Sequence, residues 1–129
     1  MIFQGRKISP GSAEGEVLAT SMGISFYGGI DPATGRVVEK GHALEGQSIG
    51  GKILVFSTGK GSTVGSYTLY RLKKAGKAPA AILNAESETI TAVGCIISGI
   101  PCVDHIPIEQ ITTGMLVRVK AESGIVEIL

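Results

Sequence analysis

The sequence predicts one α/β domain with antiparallel additions, and three observations carry that expectation. Lys52-Ile53-Leu54-Val55-Phe56 is a short, β-rich apolar run of the buried type. A glycine-rich segment, a helix-like stretch and a second apolar run, Ala80–Asn84, follow it in the order of a β-α-β unit. The last residues alternate: Met115–Lys120 and Ile125–Leu129, separated by Ala121-Glu122-Ser123-Gly124, predict a closing hairpin.

The remaining elements fill in around these. Ile2–Ser9 mixes apolar and polar residues up to the Pro10-Gly11 stop, and Gly15–Thr20 predicts a short strand. Asp31-Pro32-Ala33-Thr34-Gly35 has the chemistry of a turn, with Arg36–Glu39 as the strand leaving it. The stretch 42–51 reads as loop, ending at Gly50-Gly51. Ser66–Ala75 predicts a helix, with basic residues in its last turn and Gly76 as its stop. A second helix over Glu88–Ile97 is expected to bury Ile90, Val93 and Ile97, spaced by three and four. Ile100–Asp104 predicts a strand and Pro107–Thr112 a helical turn. No repeat or linker divides the chain, so 1–129 is expected to be one domain.

Composition narrows the function. With 43% apolar and 18% charged residues the chain suits a globular protein, and 5% aromatics leave the core to aliphatic side chains. A net charge of +1 and no long basic run argue against a nucleic-acid partner. No apolar stretch approaches the roughly 20 residues of a membrane span, and the N-terminus lacks a signal-like apolar block. No membrane association and a cytoplasmic location are therefore expected. Two cysteines, Cys95 and Cys102, are too few for a structural zinc or an iron–sulfur cluster. They are expected in the core, with no metal bound by this chain.

The segment Ser57–Gly65 lies between a buried strand and a helix N-terminus, where backbone N–H groups and the helix dipole attract anions. Gly59, Gly61 and Gly65 would let the backbone approach a ligand, and Lys60 adds a cation. A P-loop requires G-x-x-x-x-G-K-[ST]; here Gly61 follows Lys60 and Leu54 stands where the first glycine belongs, so that motif is absent. A dinucleotide fingerprint fails on spacing. From these residues alone Ser62 or Thr63 caps the helix, the loop binds an anion, or Ser62 acts as a base whose alkoxide is held by N–H donors and a cation.

Other candidates carry less. Phe26 and Tyr27 are expected to pack, and His42 and His105 to be solvated loop residues. An Asp104–His105 dyad is disfavoured because neighbours on a strand point to opposite faces.

Four stretches in order resemble one family: Ser25-Phe26-Tyr27-Gly28-Gly29-Ile30-Asp31-Pro32-Ala33-Thr34-Gly35, Gly46–Val55, Gly59-Lys60-Gly61-Ser62-Thr63, and Ala78–Ile82. Together they look like the swivel domain, or small subunit, of the aconitase X group, over nearly the whole chain. The resemblance implies a swivelling β/β/α fold that closes over a large catalytic subunit. That partner would carry a [4Fe-4S] cluster, and the serine matching Ser62 would be the catalytic base. Lys60, Gly61, Thr63 and Ser25 would then face the substrate. The expected reaction, inherited from the archaeal, unfused members, is dehydration of (R)-5-phosphomevalonate to trans-anhydromevalonate 5-phosphate. Alternatives are a related dehydratase subunit for another hydroxy acid, such as hydroxyproline, or a non-catalytic anion-binding module. Lys60 stands where the family more often has Arg, which retains the charge without the planar fork.

Overall fold

A computed structural model describes residues 1–129. Its eight strands are β1 (Ile2–Gln4), β2 (Arg6–Ser9), β3 (Ser12–Ala19), β4 (Ile53–Phe56), β5 (Ala81–Asn84), β6 (Cys102–Asp104), β7 (Leu116–Lys120) and β8 (Ile125–Ile128). The helices are a short turn, α1 (Phe26–Gly29), and two longer ones, α2 (Gly65–Lys74) and α3 (Thr89–Ser98). The strand order is β1-β8-β7-β3-β4-β5-β6-β2.

β3 joins the two halves of this order. Its first part, Ser12–Glu16, pairs antiparallel with β7, while Val17–Ala19 pairs parallel with β4. The predicted β4-α2-β5 unit is present with β4 and β5 parallel neighbours, and β7 and β8 form the predicted hairpin. The predicted first segment is split. Gly5 separates β1 from β2, which stand at opposite ends of the strand order, so the sheet curls until its two ends meet at that residue. The tight passage requires glycine: a Cβ at Gly5 would collide with the Asp104 carbonyl.

Two cores follow from this curl. Inside it, Val17, Ile53, Val55, Leu83, Val117, Val119 and Val126 pack sheet against sheet. Outside it, Leu18, Leu54, Phe56 and Ile82 meet Leu69 and Leu72 of α2 and Cys95 of α3. The result is a β/β/α sandwich. Covered on both faces, β4 and β5 are buried at every residue, which is why they read as continuous apolar runs. Each such large side chain contributes roughly 1.5–3 kcal/mol on burial. No helix is long and apolar enough to cross a membrane.

Four expectations are corrected. The apolar stripe of α3 faces outward: Val93 and Ile97 are 43% and 46% exposed, while Thr91, Gly94, Cys95 and Ser98 are buried. The cause is close packing on α2. A Cβ at Gly94 would run into Leu69, and Ser66 Oγ donates to Ile90 O at 2.7 Å, so the inner face must be small. Arg36–Glu39 forms only isolated bridges, Ile30 to Val37 and Arg36 to Ser48, around the Asp31–Gly35 turn. His42 is buried, not solvated: Nε2 lies 3.0 Å from Gly23 O and Nδ1 accepts Leu44 N–H at 3.0 Å, which uses both nitrogens of a neutral ring. Phe26 packs edge-on against Phe56 as expected, but Tyr27 is exposed.

Candidate functional site

The glycine segment leaves β4 and is anchored at its start by the chain before α1. Ile24 N–H donates to Thr58 O at 3.2 Å and Lys60 N–H donates to Ile24 O at 3.0 Å. This brings the two sequence motifs together. Gly61 adopts a φ of +94°, and a Cβ there would press on Ser25 Oγ, so glycine is required both by conformation and by contact. Ser25 Oγ itself donates to Tyr27 O at 2.9 Å.

Ser62 does not cap α2 directly. The N-cap is Val64, with no side-chain cap, and Ser62 closes the turn before it. Ser62 Oγ accepts Val64 N–H at 3.1 Å and Ser62 O accepts Gly65 N–H at 2.9 Å. The serine is exposed, and its hydroxyl hydrogen has no acceptor on the protein. The N–H groups of Gly61, Ser62 and Thr63 also have no protein acceptor. Three consecutive free donors at the entry to a helix form an anion cradle. Lys60 extends beside it, with its stem against Gly23 and Nζ 3.3 Å from Glu39 Oε2. Glu39 Oε1 would lie 3.4 Å from a Cβ on Gly29, so this carboxylate sits between the two motifs.

Beneath the cradle lies the start of α3. Glu88 Oε2 accepts Ile90 N–H and Oε1 accepts Thr91 N–H, each at 2.7 Å. Gly59 rests on this cap, and a Cβ there would collide with Glu88 Oε1 and Thr91 Oγ1. Neither Glu39 nor Glu88 was singled out from sequence. Nothing in the spacing signals Glu39, and glutamate is not a favoured N-cap.

Two further clusters bear on metals. Glu86, Asp104 and His105 bring ligand atoms within 4.8 Å of one another. Arg6 already occupies both Asp104 oxygens, at 2.9 and 2.8 Å, so the group is an ion-pair network. His105 lies beyond the strand with φ 59°, which turns Nε2 to within 3.9 Å of Asp104 and 3.2 Å of Glu86. Strand alternation is therefore not what separates Asp104 from His105. Burial pushes the Asp104 carboxyl up, but hydrogen bonds from Arg6 and Ser87 N–H, with the charges of Arg6 and His105, outweigh it and hold it below the ordinary range. The iron–sulfur cluster that the resemblance implies finds no ligand set here. Cys95 and Cys102 are both buried, and the neighbouring Cys102 thiol together with burial pushes the Cys95 thiol well up from its ordinary range.

Fold and loop together define a sheet-on-sheet domain that presents an anion cradle at the entry to one helix. The family model for the aconitase X swivel domain matches residues 2–128, and the chain belongs to that family. It is 57% identical to the phosphomevalonate dehydratase small subunit of Thermococcus kodakarensis, covering 100% of this chain and 97% of that protein. The protein of the same name from Methanosarcina acetivorans is 54% identical, over 98% of this chain and 90% of that one. In structure, the chain matches the crystal structure of the holo-form of Thermococcus kodakaraensis aconitase X with a TM-score of 0.98 at 56% identity, covering 100% of this chain and 98% of that one.

Proposed function

We propose that this chain, acting as one domain, is the small subunit of a hydro-lyase that dehydrates (R)-5-phosphomevalonate to trans-anhydromevalonate 5-phosphate. The relatives' names support the substrate. The observation that carries the chemistry is the exposed Ser62 hydroxyl, which accepts Val64 N–H beside the free N–H groups of Gly61, Ser62 and Thr63.

Ser62 is the base. Hydrogen bonding to its oxygen favours the alkoxide, as do the adjacent helix entry and Lys60. The alkoxide takes a proton from the carbon next to the one bearing the hydroxyl. The C–H electron pair becomes the double bond, and the hydroxyl leaves the neighbouring carbon as hydroxide. The hydroxide takes the proton back from Ser62 to form the water released, which restores the base. A bound cluster on the partner would supply the Lewis acid that assists this departure. The free N–H groups and Lys60 hold negative charge of the substrate, with Lys60 exchanging Glu39 for it. Ser25 supports Gly61 and so keeps the cradle in shape, and Thr63 borders it. The chain's own thiols do not suit a cluster, so we assign the [4Fe-4S] group to a large subunit, without which this subunit is inactive.

The test is co-expression with a candidate large subunit under anaerobic conditions, followed by assay with 5-phosphomevalonate. Ser62→Ala is expected to lower turnover by about 10²–10⁴-fold while the complex stays intact. Unchanged turnover in that complex would overturn the assignment of the base.

A further inference from the structure

We infer that the outward face of α2 and α3, formed by Tyr67, Ile90, Val93 and Ile97, is the seat on which the large subunit docks, through an uncharged apolar surface of its own. The inference rests on the proposal that this chain is a dehydratase small subunit.

Four observations support it. α3 carries no charged residue along its length, although Val93, Ile96 and Ile97 point to solvent. A solvated helix face ordinarily carries charge, so this one is built to be covered. Tyr67 is 66% exposed across from it, and between the two helices lies a groove of about 370 Å³. Thr63 lines the end of that groove and is also part of the cradle, so the groove continues the candidate site. A subunit that closes over Ser62 meets Thr63 first, and the groove is the next surface it covers. A second copy of this chain seated there would cover Thr63 and obstruct the cradle. That favours the partner that completes the site over self-association. Two exposed apolar residues elsewhere differ in setting: Leu116 and Leu129 lie near the charged Arg118 and Glu127 on the hairpin.

The experiment measures affinity of the purified large subunit for the wild-type chain and for Val93→Glu, Ile97→Glu and the double variant, by calorimetry. Both positions are at the surface, so thermal melting checks that the variants remain folded. The double variant is expected to lose at least about 30-fold in affinity, the scale of an interface hot spot. Leu116→Glu, on the hairpin, is expected to bind as wild type. Ser62→Ala is expected to bind as wild type while losing turnover, so loss of the chemistry and loss of the docking surface are read separately. Unchanged affinity in the folded double variant would overturn the inference. So would self-association of the wild-type chain that Val93→Glu abolishes.

Discussion

Two crossover loops leave adjacent parallel strands and enter neighbouring helices, and they are finished differently. The loop from β5 to α3 is braced by side chains at both of its ends. Ala85 and Glu86 N–H both donate to Ser57 O, Ser87 N–H donates to Asp104 Oδ2, and Glu88 caps α3 with both carboxylate oxygens. The loop from β4 to α2 has no side-chain N-cap and leaves three successive N–H groups without a protein acceptor. The same fold position serves as a brace in one case and as an open cradle in the other. Three successive exposed donors at a helix entry leave this loop open to an anion, whereas the braced loop presents no such run.

That contrast can be broken at its point of contact. Gly59→Ala sets a methyl against Glu88 Oε1 and Thr91 Oγ1, where the open loop rests on the closed one. Overpacking of this kind costs about 1–3 kcal/mol, so denaturant unfolding should show a loss of that size. Turnover of the complex should fall with it. A variant as stable and active as wild type would mean that the two loops are not coupled.

Removing the brace is a smaller perturbation. Glu88→Ala leaves Ile90 and Thr91 N–H without their acceptor, and the loss of a cap costs about 0.5–2 kcal/mol. Thermal melting should show that decrease, with turnover altered far less than by Ser62→Ala.

Acid sharpens the comparison more gently. The Asp104 carboxyl is held below its unfolded value, near 3.9, so its contribution to stability is fully present above that pH. It is lost as pH falls through the lower folded value. The stability difference between wild type and Arg6→Gln should therefore be steady near neutrality and shrink below about pH 4. A difference that stayed constant to lower pH would remove Asp104 from the brace.

Much of the frame was legible in the sequence. β4, β5 and the hairpin announced themselves because a strand covered on both faces is apolar throughout, and a strand covered on one face alternates. The orientation of α3 was not legible. Periodicity assumes that the larger apolar side chains turn inward, whereas close packing on Leu69 and Ser66 of α2 admits only Gly94, Thr91, Cys95 and Ser98. His42 was missed for a related reason: its burial depends on a carbonyl, Gly23, far from it in sequence. In the site, the turn that carries Ser57–Gly65 from β4 to α2 followed from its residues. The seating of Gly61 on Ser25 is a product of the fold, as is the carboxylate of Glu39 beside Lys60. The local spacing of the loop allowed capping of α2 by Ser62 or Thr63, but the chain gives that position to Val64.

The single residue between β1 and β2 has a consequence for synthesis. β1 pairs Ile2 with Glu127, and β2 pairs Arg6 with Asp104, so neither strand has a neighbour nearby in sequence. During translation both leave the ribosome long before their partners exist. They wait as unpaired strands until β6 and then β8 are made, and contacts so distant in sequence slow folding. The seam at Gly5 can thus close only after β6 and β8 have been made, although its own residues precede both.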